Sequence, residues 1–389
     1  HWLLDAHHNR HMAAPQHTID SLLEPFYSVA YPSIQRTFFM NLSHNPSVVI
    51  AGAGSVGCYI GGMLAKGGAK VTFLARQRIG DDISANGLSL SDLSGSQYHV
   101  PPGKFQVSLQ GRVLQDAELI LVCVKSKDSA EMAHIIKQYG NERAIIFSLQ
   151  NGVGNRQTLQ HILPKHTILP VMVPYNVVYQ GGGHFHCGTA GSLFCQQHPA
   201  AGALQRLAHA AGLGFELKDD MRSIMWGKLL LNLNNPINAL AGIPLQQQLE
   251  NAGFRRIFRD SIKEGLKVLA AANIQPGQVA AAPIKVIPYI LSLPTFLFKR
   301  LAHKMLAIDP KARSSMWEDL QNKRPVEVDY INGEIVKLGK QLNIDTPLNE
   351  RLIELVKRAQ QQGQGSPNLL PQHIRDQPQH DPAPHTQQH

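Results

Sequence analysis

Cysteine is scarce: Cys58, Cys123, Cys187 and Cys195 are the only four in 389 residues. That is too few for a disulfide framework and fits a reducing compartment. Long apolar runs are missing as well. The most apolar stretch, 286–298, is shorter than the ~20 residues a membrane span needs, and it contains Pro288 and Pro294. It reads as buried helical turns, with an oligomer interface as the alternative. No block of like charge occurs, although the formal net charge is +9. Lys and Arg are spread along the chain, so the charge fits an anionic small molecule as well as a nucleic acid. No repeat at solenoid periods and no secretory signal is evident. The charge alone decides nothing; the cysteine usage points to a cytoplasmic protein, and no membrane and no nucleic-acid partner are expected.

Hydrophobic residues make up 43% of the chain, and its length suits two domains of ordinary size. Residues 1–46 begin with His1 and mix His and Pro with little periodicity. They are expected to be a disordered or non-native N-terminal extension, with Met40 a natural start. Residues 363–389, rich in Gln, His and Pro, are expected to be a disordered tail. Ten of the nineteen histidines fall in these two tails, and no metal is expected. "HFHC" at 184–187 lies in a glycine-rich hairpin and fits no tight ligand spacing.

Between the tails the pattern changes once. Apolar runs at 48–51, 70–75, 119–124 and 144–149 alternate with helical segments, as in a doubly wound parallel sheet. From Asp219 onward helical patterns dominate. The expected division is a Rossmann-type α/β domain over 47–218 and an all-helical domain over 219–362.

The first strand runs into G-x-G-x-x-G at Gly52, Gly54 and Gly57 and then a helix. In that context the glycines serve a tight turn, the approach of a pyrophosphate, and close helix–strand packing. Ala53, Ser55 and Val56 complete the cofactor-binding turn, and the helix offers free N–H groups to phosphate. The second strand ends in "FLARQR". An NAD site usually carries an acid there, whereas a guanidinium can hold a 2′-phosphate. Arg76, helped by Arg78, therefore reads as the selector of NADPH/NADP+; the alternative is two solvated arginines.

Four further stretches are "VCVKSKD", "SLQNGVGN", "WGKLLLN" and "SSMWEDLQNKRPVEVDYINGEIVKLGKQLNIDTP". With the glycine turn they resemble the ketopantoate reductase (2-dehydropantoate 2-reductase) family over 48–357. The resemblance implies a Rossmann domain, a helical domain like the C-terminal domain of 6-phosphogluconate dehydrogenase, and a cleft between them. It implies NADPH-dependent reduction of ketopantoate to pantoate, feeding pantothenate and coenzyme A. Lys228 would be the general acid, with Asn232 on the same helix face. Ser315 would bind the substrate carboxylate and Glu327 would accept from its hydroxyl, with Asp319 nearby. Lys125 would lie by the cofactor. Asn151, at a strand's carboxyl end in a turn with Gln150, Gly152 and Gly154, would lie between nicotinamide and substrate, and Glu327 would also face the cofactor. The family's second substrate amide is displaced here: Asn235 precedes Pro236, and Asn234, Asn235 and Asn238 are all candidates. A reductase of another branched 2-oxo acid and a non-catalytic NADP(H) sensor are the competing readings. A homodimer stays open.

Overall fold

The apolar runs form the middle of a sheet. A computed structural model describes residues 42–279, 282–302 and 311–375. Its strands are β1 Ser47–Ala51, β2 Lys70–Leu74, β3 Leu88–Asp92, β4 Gln97–Val100, β5 Gln106–Ser108 and β6 Leu119–Val122. They continue with β7 Ile145–Ser148, β8 Ile168–Met172, β9 Val177–Gly181, β10 His184–Cys187, β11 Leu193–Gln196 and β12 Phe215–Lys218. The large sheet has the order β12-β11-β8-β7-β6-β1-β2-β5. Its six strands from β5 to β8 are parallel. Their succession is the 3-2-1-4-5-6 order of a dinucleotide-binding sheet. β11 joins antiparallel to β8 and carries β12 beside it.

Along β1 the side chains alternate between two cores. Val48 and Ile50 pack with Tyr59, Met63 and Leu64 on one face. Val49 and Ala51 pack with Met132, Ala133 and Ile136 on the other. Helices cover both faces, so the strand has no polar side, which is why it reads as a continuous apolar run. The Ser55–Lys66 helix is itself covered by a second sheet, β4-β3-β10-β9. A Cβ on Gly61 would meet the Phe73 ring at 2.5 Å, and one on Gly62 would meet Leu90 at 3.0 Å. The helix can be sandwiched this closely only because those positions are bare. "HFHC" is β10, which follows the Gly181–Gly183 turn from β9. His184 and His186 both reach the Ser91 hydroxyl, at 3.0 and 2.8 Å.

After β12 the chain is helical. Asp220 caps the Met221–Asn232 helix through the Ser223 N–H. The helix does not bend at Pro236; a new helix, Asn234–Ala241, begins first. Pro236 then sits in a first turn, where its missing N–H has no intrahelical role. The Ala252–Ala271 helix is the centre of the domain, capped by Asn251 and burying Phe254, Ile257, Phe258, Ile262 and Val268. Arg255, fully buried on it, donates to the carbonyls of Leu249, Glu250, Leu291 and Leu293 and to the Thr295 hydroxyl. It thereby holds the 284–302 segment, which buries Ile287 and Phe298 and exposes Tyr289 and Phe296.

The tail expectations need correction. Residues 363–375 are ordered against the helical domain. The Leu369 N–H donates to the Leu240 carbonyl at 2.8 Å. The short helix Pro371–Arg375 buries Ile374 and pairs Arg375 with Asp260. At the other end, the Ser43 N–H and hydroxyl donate to Glu118 at 2.9 and 2.8 Å, so order begins before residue 46. The rest of both tails, 1–41 and 376–389, lies outside the described residues. Because Ile374 is part of the main helical core, Ile374→Ala is expected to lower stability by about 2–3 kcal/mol. Thermal or denaturant unfolding would show this, whereas a shift near zero would mean the segment is not packed in solution.

Candidate active site

The three motif glycines do different things. Gly52 has φ +108°, and a Cβ there would fall 2.8 Å from the Val124 nitrogen. A Cβ on Gly57 would fall 2.5 Å from the Gly52 carbonyl oxygen. Both are therefore required for the fold. A Cβ on Gly54 would meet nothing within 4 Å, so that position faces open space. Ala53 and Gly52 donate to the Leu74 carbonyl, tying the turn to β2. Ser55 and Val56 begin the helix, whose first turn has no side-chain cap and no acid. Its free N–H groups suit an anion. A cleft of about 550 Å3 starts at this turn. It passes Arg76, Arg78 and Lys125 and ends against Arg324 and Pro325 of the helical domain. The size, the bare Gly54 and the cationic walls fit a dinucleotide.

The two arginines are in different states. Arg76, with its side chain 86% exposed, reaches Asp128 alone among the described residues, at 3.5 Å. The Arg78 guanidinium lies 5.5 Å from the centre of the Tyr179 ring. Tyr179 and the Gly183 N–H both donate to Asp82, which fixes the arginine-bearing helix Gln77–Asn86 to the small sheet.

The carboxyl ends of β6 and β7 form the seam with the helical domain. Lys125 is 2.5 Å from Asp319 and donates to the Pro325 carbonyl at 3.0 Å. The Ser126 N–H donates to Glu327 Oε1 at 2.9 Å. Gln150 is buried and donates to the Val124 carbonyl and the Ser129 hydroxyl. The Asn151 carbonyl accepts from the Ser126 hydroxyl (2.9 Å) and from Asn155 Nδ2 (2.5 Å), and Gly152 turns the chain at φ +87°. The Asn151 amide is left half-buried at the sheet's carboxyl edge, where open α/β sheets bind ligands.

Lys228 stands on the Met221–Asn232 helix and donates to the Val173 carbonyl, just past β8, at 2.8 Å. Among the described residues no ion pair is formed by it. Burial pushes its amine down to about 8, because desolvation penalises the charged form. Asn232 follows one turn later, half-buried. Asn234 is engaged with Gln248 at 2.6 Å. Asn238 donates to Gln248 and the Ile243 carbonyl and accepts from the Ser314 N–H. Asn235 is half-buried, and among the described residues only its backbone carbonyl is used, by the Ser314 hydroxyl. It is the amide among the three that can serve a ligand. Ser314 caps the Ser315–Gln321 helix, which leaves Ser315 exposed at its start. Asp319 faces Lys125 and Arg324 rather than a substrate.

Three features had no local signal in the sequence. Asn176 donates to the Arg313 carbonyl at 3.0 Å and ties the Ser314–Ser315 turn to the sheet domain. The Arg313 guanidinium stacks on Trp317 at 4.4 Å. Arg324 enters the cofactor cleft from the second domain. Two of them depend on contacts between distant segments, and the Arg313–Trp317 pair, though only four residues apart, depends on how the turn before the Ser315–Gln321 helix is folded.

A nucleotide-type sheet, an anion-ready glycine turn and a desolvated lysine on the helical region that follows are the parts that a dinucleotide-dependent oxidoreductase needs. Residues 48–200 match the family model described as ketopantoate reductase PanE/ApbA, and residues 220–360 match its C-terminal counterpart. The chain belongs to the ketopantoate reductase family. It is similar to the 2-dehydropantoate 2-reductase of Archaeoglobus fulgidus, 27% identical over 80% of this chain and 96% of that one. The corresponding protein of Halobacterium salinarum is 26% identical over 81% and 99%. Among solved structures, the PanE/ApbA family ketopantoate reductase of Ralstonia eutropha is 31% identical, with a TM-score of 0.70 over 82% of this chain and 99% of that one. D-mandelate dehydrogenase, solved with NADH and anilino(oxo)acetate, shares the fold at 22% identity and a TM-score of 0.68.

The glycine geometry makes a paired prediction. Gly54→Ala is expected to leave stability within about 0.5 kcal/mol while weakening cofactor binding roughly tenfold or more, because the methyl fills the phosphate approach. Gly57→Ala is expected to lower stability by about 1–3 kcal/mol. Unfolding curves and nucleotide titrations of the two variants would separate these effects.

Proposed function

We propose that this protein reduces 2-dehydropantoate (ketopantoate) to pantoate with NADPH, in the cytoplasm, as a step toward pantothenate and coenzyme A. The observation that carries the reading is Lys228: a half-buried side chain whose amine donates to the Val173 carbonyl on the seam between the nucleotide cleft and the helical domain, with desolvation pushing it down to about 8.

Gly52, Ala53, Gly54, Ser55, Val56 and Gly57 would hold the cofactor pyrophosphate, and Arg76 its 2′-phosphate. Lys125, Asn151 and Glu327 would line the path toward the nicotinamide. When bound, the cofactor supplies a hydride to the 2-oxo carbon. Lys228 orients the carbonyl oxygen and delivers the proton that the developing alkoxide needs; the neutral amine is then reprotonated from water. An amine near 8 is well matched to this task at neutral pH. The Val173 carbonyl fixes the direction of the amine and leaves its remaining N–H bonds for the substrate. Ser315 binds the carboxylate, and Asn232 and Asn235 hold the substrate from the same helical region. Glu327, with Oε1 on the Ser126 N–H, keeps its second oxygen for the distal hydroxyl of the substrate. A 2-oxo acid lacking that hydroxyl leaves this half-buried acceptor without its partner, which is a basis for discrimination.

A second reading keeps the mechanism and changes the acid. The stacked Arg313–Trp317 pair lies next to Ser315 and would suit a bulkier branched 2-oxo acid. A sensor without turnover would have no use for a desolvated proton donor.

Following NADPH consumption with ketopantoate and a panel of other 2-oxo acids tests both readings. Lys228→Ala is expected to lower kcat by roughly 10²–10⁴-fold with NADPH affinity largely kept. In the wild type, kcat/KM for reduction should fall as pH rises through about 8, as the amine loses its proton. An unchanged kcat in the variant would remove Lys228 from the chemistry. Arg76→Ala is expected to cut the preference for NADPH over NADH by roughly tenfold or more, the scale of a charged hydrogen bond. No change in that ratio would move the selection of the 2′-phosphate elsewhere.

A further inference from the structure

Two cations meet across the cofactor cleft, one from each domain. Lys125 comes from the end of β6 and Arg324 from the turn after the Ser315–Gln321 helix. Asp319 stands between them, but unequally. It is 2.5 Å from the Lys125 amine and 3.6 Å from Arg324 Nε. The other acid near Arg324, Glu318, is 4.0 Å from Nη2. Neither arginine contact is of hydrogen-bonding length, and Nε is buried with no hydrogen-bond partner. Burial also raises the Glu318 carboxyl to about 7, which weakens it as a counter-ion near neutral pH.

The backbone, not the acids, places this side chain. The helix ends with Lys323 at φ +52°, and the Arg324 N–H returns to the Asp319 carbonyl at 2.7 Å. The next residue, Pro325, offers its carbonyl to Lys125. Residues 324 and 325 are therefore fixed as the far wall of the cleft whose near wall is Gly52, Ala53 and Gly54. A pyrophosphate on that turn would present acceptors to a guanidinium whose hydrogen bonds are, among the described residues, not taken.

We propose that Arg324 is a cofactor-binding residue supplied by the helical domain, donating to the cofactor pyrophosphate from the side opposite the glycine turn. The inference rests on the dinucleotide reading of the cleft. It makes cofactor affinity depend on the second domain, and Asp319, by holding Lys125, keeps Arg324 on this task. A guanidinium can span two phosphate oxygens, which an ammonium cannot.

The test is a titration of the full chain with NADPH and with NADH, read by binding rather than turnover, for wild type, Arg324→Gln and Arg324→Lys. Arg324→Gln is expected to weaken both nucleotides by the same factor, roughly tenfold or more, with an unchanged thermal midpoint. Arg324→Lys should recover part of the loss. Unchanged affinity would overturn the inference. So would a loss confined to NADPH, which would put Arg324 on the 2′-phosphate. A loss of thermal stability shared by both variants would likewise overturn it, because it would make the residue structural. If the wild type binds neither nucleotide, the dinucleotide reading itself fails. If the wild type binds both and Arg324→Gln binds equally well, only the role of Arg324 fails.

Discussion

A desolvated amine at the domain seam has one backbone carbonyl beside it and, among the described residues, no carboxylate. That condition at Lys228 is what the site depends on. Burying a cation without a counter-ion costs free energy, and the group responds by giving up its proton more readily. The cost to the fold is greatest while the amine is charged. It fades as pH rises from about 8 into the ordinary lysine range. A paired lysine would have been cheaper to bury and would have made a poorer acid. The helix supplies the amine and the end of β8 supplies the carbonyl, so the condition exists only where the two domains meet.

The seam that creates it is held by a few polar contacts of high directionality. Glu327 reaches the Ser126 N–H, Asp319 reaches Lys125, and Asn176 reaches the Arg313 carbonyl. Singly, such partly exposed pairs contribute about 1 kcal/mol or less. Their value lies in register. They set the loop after β6 against the turn after the Ser315–Gln321 helix, and the loop after β8 against Ser315. Each end of the proposed ligand pair is thus addressed by both domains.

The parts that were legible in the sequence are those whose chemistry is local. Gly52, Gly54 and Gly57 could be read because a tight turn, an open approach and a close helix each need a missing Cβ. β6 and β7 could be read because a strand covered on both faces has nothing but apolar residues. The all-helical second half was visible in its periodicity. What could not be read was set by partners far along the chain. Ile374 is one of three apolar residues, with Leu369 and Leu370, in a polar, proline-containing stretch, and only the core it enters shows that 363–375 is ordered. Asn234, Asn235 and Asn238 look equivalent until Gln248 and Ser314 take two of them. Arg76 and Arg78 look like one device until Tyr179 takes the second. Of the small sheet β4-β3-β10-β9 only the glycine-rich hairpin holding β10 could be read, because the strands are short and half-polar and the central pair, β3 with β10, joins residues almost a hundred apart.

The central claim is that Lys228 is an amine poised near neutrality by burial. The most direct measurement is an NMR titration of the protein carrying ¹⁵N-labelled lysine, with Lys228→Arg to assign the Nζ signal. A midpoint near 8 is expected from a desolvated amine on a carbonyl. A midpoint above about 10, the range of a solvated lysine, would contradict it and leave the cleft with only a weak acid.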